Sequence, residues 1–145
     1  MTAQQYPRSP KKQVGGLCHL GRLFDKIRMR NQGFIQDYHY LTTGFDKYLL
    51  EILEINGEEL EQRVLAGGTD EELLDWVRSK GKAVSHDERE EWNNKVLTGT
   101  PQNEQAQQRF NGLVEALAQN RGVQVDQLPT LTTWVDVIEC DEGRL

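Results

Sequence analysis

The chain has 145 residues, with three Trp, four Tyr, four Phe, two Cys and a formal net charge of −6. That length suits one ordinary domain burying roughly 70% of the surface its unfolded form exposes, and the aromatic content argues against disorder although the hydrophobic fraction is only 37%. No run of about 18 apolar residues and no signal-peptide core is found, so no membrane role and a cytoplasmic location are expected.

Charge is unevenly distributed. Up to residue 32 the chain holds Arg8, Lys11, Lys12, Arg22, Lys26, Arg28 and Arg30 against Asp25 alone, a charge of +6, which leaves −12 for the remainder of the −6 total. Either the two parts attract each other within the fold, or the basic part receives an anion, an acidic protein partner or nucleic acid. Nucleic acid is disfavoured, because the rest of the surface is acidic and no aromatic residue interleaves the basic row.

In chain order, residues 1–14 read as an extended N-terminal arm, with Pro7 and Pro10 flanking Arg8 and Ser9. Residues 15–145 read as a single helical domain. Gly15 and Gly16 predict a close backbone approach or a sharp start to the first helix, whose N-terminal amides could face an anion. Leu20, Leu23, Phe24 and Ile27 then recur at helical spacing and predict a buried stripe; Arg22, Lys26 and Arg30 form a basic row beside it, and Asp25 stands one turn from Arg22, close enough for an ion pair. Gly33 ends this helix. Phe34 to Leu41, containing Tyr38-His39-Tyr40, is the least helical stretch and is read as extended or a packed loop.

Thr43 or Asp46 caps a second helix bearing Phe45, Leu49, Ile52 and Leu53 and stopped at Asn56-Gly57. Glu59 to Leu65 makes a third. Thr69 with Glu72 and Ser85 with Glu88 are capping boxes for the fourth and fifth, the latter carrying Trp92 and Val96. A sixth helix runs from about Asn103 to Asn120 with Ala106, Phe110, Leu113, Val114, Leu117 and Ala118 in register. The tail around Leu131, Trp134, Val135 and Ile138 fits a helix better than a strand. The predicted fold class is therefore all-α, a single compact domain of about six or seven short helices; the alternative is α+β, with a small sheet from residues 34–41 and 131–138.

No catalytic constellation is visible. Ser9 and Ser85 sit in an arm and a cap; His19, His39 and His86 show no metal-binding spacing; Cys18 and Cys140 lack C-x-x-C spacing and read as reduced thiols, so neither metal nor cofactor is assigned. The ligand-binding candidates are Arg22, Asp25, Lys26 and Arg28 in the first helix, with Trp134 and Asp136 as an aromatic plate beside a charge.

Arg8-Ser9-Pro10, Gly15-Gly16-Leu17 with Leu20, the Arg22, Asp25-Lys26, Arg28 pattern, Leu49-Leu50, Trp76-Val77, Trp92-Asn93, Thr133-Trp134 and Asp141-Glu142-Gly143 resemble a family of small bacterial proteins known only as a domain of unknown function. The resemblance spans nearly the whole chain and implies a bacterial cytoplasmic setting, but no activity, cofactor or catalytic residue. Gly21 stands where that family more often has proline, which implies a looser start to the first helix.

Two functions follow as expectations. The first is a non-catalytic binding or interaction protein using the basic face of the first helix for a small anion or acidic partner, with self-association left open. The second is an enzyme acting on a phosphorylated or carboxylated metabolite, with Asp25 or Asp136 as acid or base.

Overall fold

A computed structural model describes residues 6–145; residues 1–5 of the expected arm lie outside the described residues. The elements are a hairpin, β1 (Gln13–Val14) and β2 (Leu17–Cys18), then helices α1 (Leu20–Asn31), α2 (Gly44–Leu53), α3 (Gly57–Leu65), α4 (Asp70–Lys80), α5 (His86–Thr98) and α6 (Glu104–Arg121), a 3-10 turn at Val125–Gln127, and α7 (Trp134–Asp141). The described chain is thus helical apart from one small sheet. That sheet is not where the α+β alternative put it: residues 34–41 form no strand and residues 134–138 open α7.

The chain divides into two compact units, one ending at Asn93 and one running from Asn94 to Leu145, with the boundary inside α5. In the first unit, α1 is the core. Leu20, Leu23, Phe24 and Ile27 are fully buried, as their spacing predicts, and α1 packs on α3 and on β1. Gly15 and Gly16 do not open α1. Both have positive φ and make the two-residue turn of the hairpin, which pairs Val14 with Leu17 and Gln13 with Cys18. Trp92 of α5 is buried in the same unit, its indole donating to the Cys18 carbonyl (2.9 Å), while Asn93 accepts from the Cys18 amide (2.8 Å) and donates to the Gly16 carbonyl (2.8 Å).

The bridge from β2 to α1 is His19, whose φ of 73° is left-handed although it carries a full side chain. Its amide donates to the Pro10 carbonyl (2.9 Å) and its ring reaches Asp46, so the bend is held from both ends. Gly21 has a packing reason rather than a loosening effect: a Cβ there would stand 2.9 Å from both the Arg8 guanidinium carbon and a Val14 methyl. The described part of the arm is pinned, with Pro7, Ser9 and Pro10 buried.

Both predicted capping boxes form, at Thr69/Glu72 and Ser85/Glu88. Asn56 plays the opposite part to that expected. It caps the start of α3 by accepting from the Glu59 amide (3.1 Å), and α2 ends earlier on a left-handed Glu54. In the second unit α6 packs on α7, around Phe110, Leu117, Val137 and Cys140, with Trp134 edge-on to Phe110 at 5.3 Å. Leu113 leaves the predicted stripe and is 47% exposed.

Candidate functional site

The basic row of α1 meets acidic and carbonyl groups of its own unit for most of its length. Arg22 is buried and donates to the carbonyls of Pro7 (3.5 Å) and Arg8 (3.0 Å), so it holds the arm against the helix. Asp25 receives Arg8 through its backbone amide (2.9 Å) and its guanidinium (2.9 and 3.2 Å), and Arg28 at 3.5 Å. Arg8 also grips Asp70 at the start of α4 (2.5 and 3.0 Å), which raises the Arg8 pKa and lowers that of Asp70. Arg28 further donates to the Gly68 carbonyl (3.3 Å).

Lys26 is buried and inserts its ammonium between the Asp46 carboxylate (3.1 and 3.2 Å) and the His39 carbonyl (2.8 Å). Asp46, fully buried, also accepts from the Leu41 amide (3.0 Å) and lies 2.6 Å from His19 Nε2. Burial pushes the Asp46 carboxyl up, but the hydrogen bonds from His19 and Leu41 and the Lys26 charge outweigh it and hold it at about 2. Burial dominates for His19 and lowers its pKa, so the ring is neutral. An ionised Asp46 can only accept, so Nε2–H donates to it, which fixes the tautomer with a bare Nδ1 that has no hydrogen-bond partner among the described residues.

These bonds shape the segment 34–43, which runs without strand or helix between α1 and α2. Lys26 fastens it at His39, Asp46 at Leu41, and Tyr40 donates its hydroxyl to Glu61 of α3 (2.5 Å). Burial and that acidic partner raise the Tyr40 pKa, so the phenol stays protonated. Ile35 and Leu41 both have positive φ (52° and 58°), conformations that cost side-chain-bearing residues on the order of 1–3 kcal/mol and persist only where the surroundings impose them.

The segment thus held lines an open depression of about 310 Å³, with Arg30, Gln36, Asp37, Tyr38, His39, Tyr40, Thr42 and Thr43 around it. Arg30 closes the basic row of α1. Its guanidinium lies 4.5 Å from the centre of the Tyr40 ring, and its hydrogen bond, to the Gln36 carbonyl, is long at 3.5 Å. Alone among Lys26, Arg28 and Arg30 it makes no ion pair with a carboxylate among the described residues. Inside the same depression, His39 Nδ1 lies 2.8 Å from the Thr43 hydroxyl.

The sequence candidates therefore fall into separate places. Arg22, Asp25, Lys26 and Arg28 lie on α1 in the first unit, and none of them is among the residues that line the depression. Trp134 and Asp136 belong to the second unit. Asp136 there accepts from the amides of Thr132 (2.9 Å) and Thr133 (3.0 Å), and Thr133 caps α7 in return, so this carboxylate is occupied as a capping partner. Sequence reasoning passed over Asp46 and His19, whose pairing joins residues 27 positions apart, and the Tyr38-His39-Tyr40 loop. A run of aromatic and polar residues in the least helical stretch was the available signal.

The fold and this loop site define a small, mostly helical protein in which, among the described residues, no helix is long and apolar enough to cross a membrane and no group of three or more His, Cys, Asp or Glu is placed to hold a metal ion. The chain belongs to the family described as a domain of unknown function (DUF5069), which matches residues 4–144. No curated protein matches it.

Proposed function

We propose that the protein is a cytoplasmic, non-catalytic binding protein whose ligand is a small molecule bearing a carboxylate or phosphate group, seated in the depression between α1 and the loop 34–43. The observation that carries this reading is Arg30: a guanidinium stacked on Tyr40, without a carboxylate partner among the described residues, and lining an open concavity rich in hydroxyl, amide and imidazole groups. A planar fork held against an aromatic face has its N–H edge fixed in direction, the form in which arginine best recognises oxyanions. Lys26 and Arg22, which the charge pattern marks as anion ligands, enter this reading as the groups that hold the loop and the arm. Buried, unbridged Cys18 and Cys140 support a reducing compartment.

Thermal-shift screening against carboxylated and phosphorylated metabolites tests the proposal. Binders should raise the melting temperature of the parent and leave Arg30→Ala unmoved. A panel in which both proteins respond alike would place the anion elsewhere.

A second reading, turnover of the same ligand class, is favoured by the 2.8 Å approach of His39 to the Thr43 hydroxyl, a distance suited to proton transfer. It requires consumption of a ligand found in that screen, lost in His39→Ala while binding persists.

A further inference from the structure

The depression holds more than one charge, and their balance narrows its ligand. Its lining carries a single guanidinium, Arg30, and a single carboxylate, Asp37, with every other lining group formally neutral when His39 is counted so. Asp37 is exposed and makes no hydrogen bond or ion pair among the described residues, so this carboxylate, like Arg30, is available to a ligand. A site for a phosphate dianion is expected to gather two or more uncompensated cations and to keep carboxylates away, because a like charge in the same concavity opposes binding. Here the cations that could have supplied that excess are committed: Lys26 to Asp46, and Arg28 to Asp25. What remains in the lining is one positive and one negative group, neither paired with an opposite charge among the described residues.

We propose that the ligand is dipolar, an amino-acid-like zwitterion whose carboxylate meets Arg30 and whose ammonium meets Asp37. The Gln36 side-chain amide already donates to the Arg30 and Phe34 carbonyls, and His39 Nδ1 bonds the Thr43 hydroxyl, which leaves the Gln36 side-chain oxygen and His39 Nε2 to hydrogen-bond a polar side chain. A volume of about 310 Å³ accommodates a molecule of amino-acid size. This assignment rests on the reading of the depression as an anion-accepting site and specifies which anion it takes.

The twenty amino acids, their N-acetyl derivatives and inorganic phosphate are the probes, with titration calorimetry for affinity and amide NMR shifts of residues 36–43 for location. At least one amino acid should shift those amides and bind at least tenfold more tightly than its N-acetyl derivative. Arg30→Gln should abolish that binding. The decisive variant is Asp37→Asn, exposed and without a structural partner: it should weaken the amino acid at least fivefold, whereas in a plain anion site the loss of this carboxylate tightens binding. Equal binding of the N-acetyl derivative, preferential binding of phosphate, or tighter binding by Asp37→Asn overturns the dipolar assignment and leaves the anion site standing. If none of the probes shifts residues 36–43, the site reading falls with it.

Discussion

In the unit that ends at Asn93, each of the buried side chains of Arg22, Asp25, Lys26, Asp46 and His19 has at least one partner 14 to 27 positions away in sequence. In the unit from Asn94 to Leu145, the buried carboxylates Glu139 and Glu142 are both met by Arg144, no more than five positions away. The first unit therefore uses buried charge to fix tertiary structure, fastening an arm and a loop to α1. The second closes its buried carboxylates locally, packs α6 on α7 through an apolar cluster, and ties the two helices with the Arg121 guanidinium, which donates to the carbonyls of Cys140 (2.7 Å) and Leu145 (2.6 Å). A buried ion pair contributes little net stability over an apolar replacement, but it tolerates almost no loss of one partner, so the two units should fail in different ways.

The largest effect expected is that of Asp46→Ala. It strands the Lys26 ammonium in a buried site and leaves the Leu41 amide without its acceptor, and should cost about 3 to 5 kcal/mol in denaturant unfolding, with faster exchange of the Leu41 amide. A loss below about 1 kcal/mol would mean that water reaches Lys26 and would break the contrast. The counterpart in the second unit is Phe110→Ala, an apolar deletion beneath Trp134, expected to cost about 3 kcal/mol and to show no dependence on pH.

Acid should separate the units further. Asp46 is held at about 2, below its ordinary value of 3.8, so the unfolded chain takes up its proton first and the stability it contributes, complete above pH 4, drains away as pH falls toward 2. His19 acts in the same direction from a higher pH. Its folded pKa lies below the ordinary 6.5, so the unfolded chain again binds the extra proton and stability declines once pH drops under that value. Denaturation midpoints measured from pH 7 down to pH 3 should therefore fall, and Asp46→Ala should flatten the lower part of the curve. A pH-independent midpoint in the parent would count against a buried, neutral His19.

A smaller change, Thr133→Ala, removes the hydroxyl that accepts from the Asp136 amide at 3.0 Å and should cost about 1 kcal/mol, read as a lower denaturation midpoint. It tests Thr133 as the cap of α7: if the variant unfolds like the parent, that hydroxyl is not needed at the helix start.

Helices were legible in the sequence because their signals are local. The stripe of α1, the capping boxes of α4 and α5 and the run of α6 all depend on residues three or four positions apart. The tail reads as a helix for the same reason, from Leu131, Trp134, Val135 and Ile138 at helical spacing, and folds as α7 behind a Thr133–Asp136 capping box that the sequence reading did not use. The hairpin was missed because its strands are two residues each, too short for alternation to register, although Gly15-Gly16 is a turn signal in its own right. At the candidate site the limitation is range. The excess of positive charge in α1 was visible, and so were two ways of compensating it, but nothing in the sequence says that Asp46 takes Lys26 or that Arg8 takes Asp25. Those pairings depend on tertiary approach, and they decide which cation of the row is left over.

That remainder gives the smallest effect expected and the sharpest use of the contrast. Lys26 and Arg30 stand one turn apart on the same basic row, so any account in which the row acts as a unit predicts similar costs for removing either. Their surroundings predict otherwise. Lys26→Ala leaves the fully buried Asp46 carboxylate without its cation and should cost several kcal/mol, about as much as Asp46→Ala. Arg30→Ala gives up a half-exposed stacking contact with Tyr40, worth about 0.5 to 1 kcal/mol, and the favourable place of a cation in the last turn of α1. It gains a little from the higher helix propensity of alanine. The net change should be near 0.5 kcal/mol in denaturant unfolding, within the range of ordinary surface substitutions. Comparable losses in the two variants would show that Arg30 too is a structural member of the row. An Arg30→Ala protein that is as stable as the parent and no longer responds to a carboxylate ligand would instead separate the part of α1 that holds the fold from the part that meets solvent.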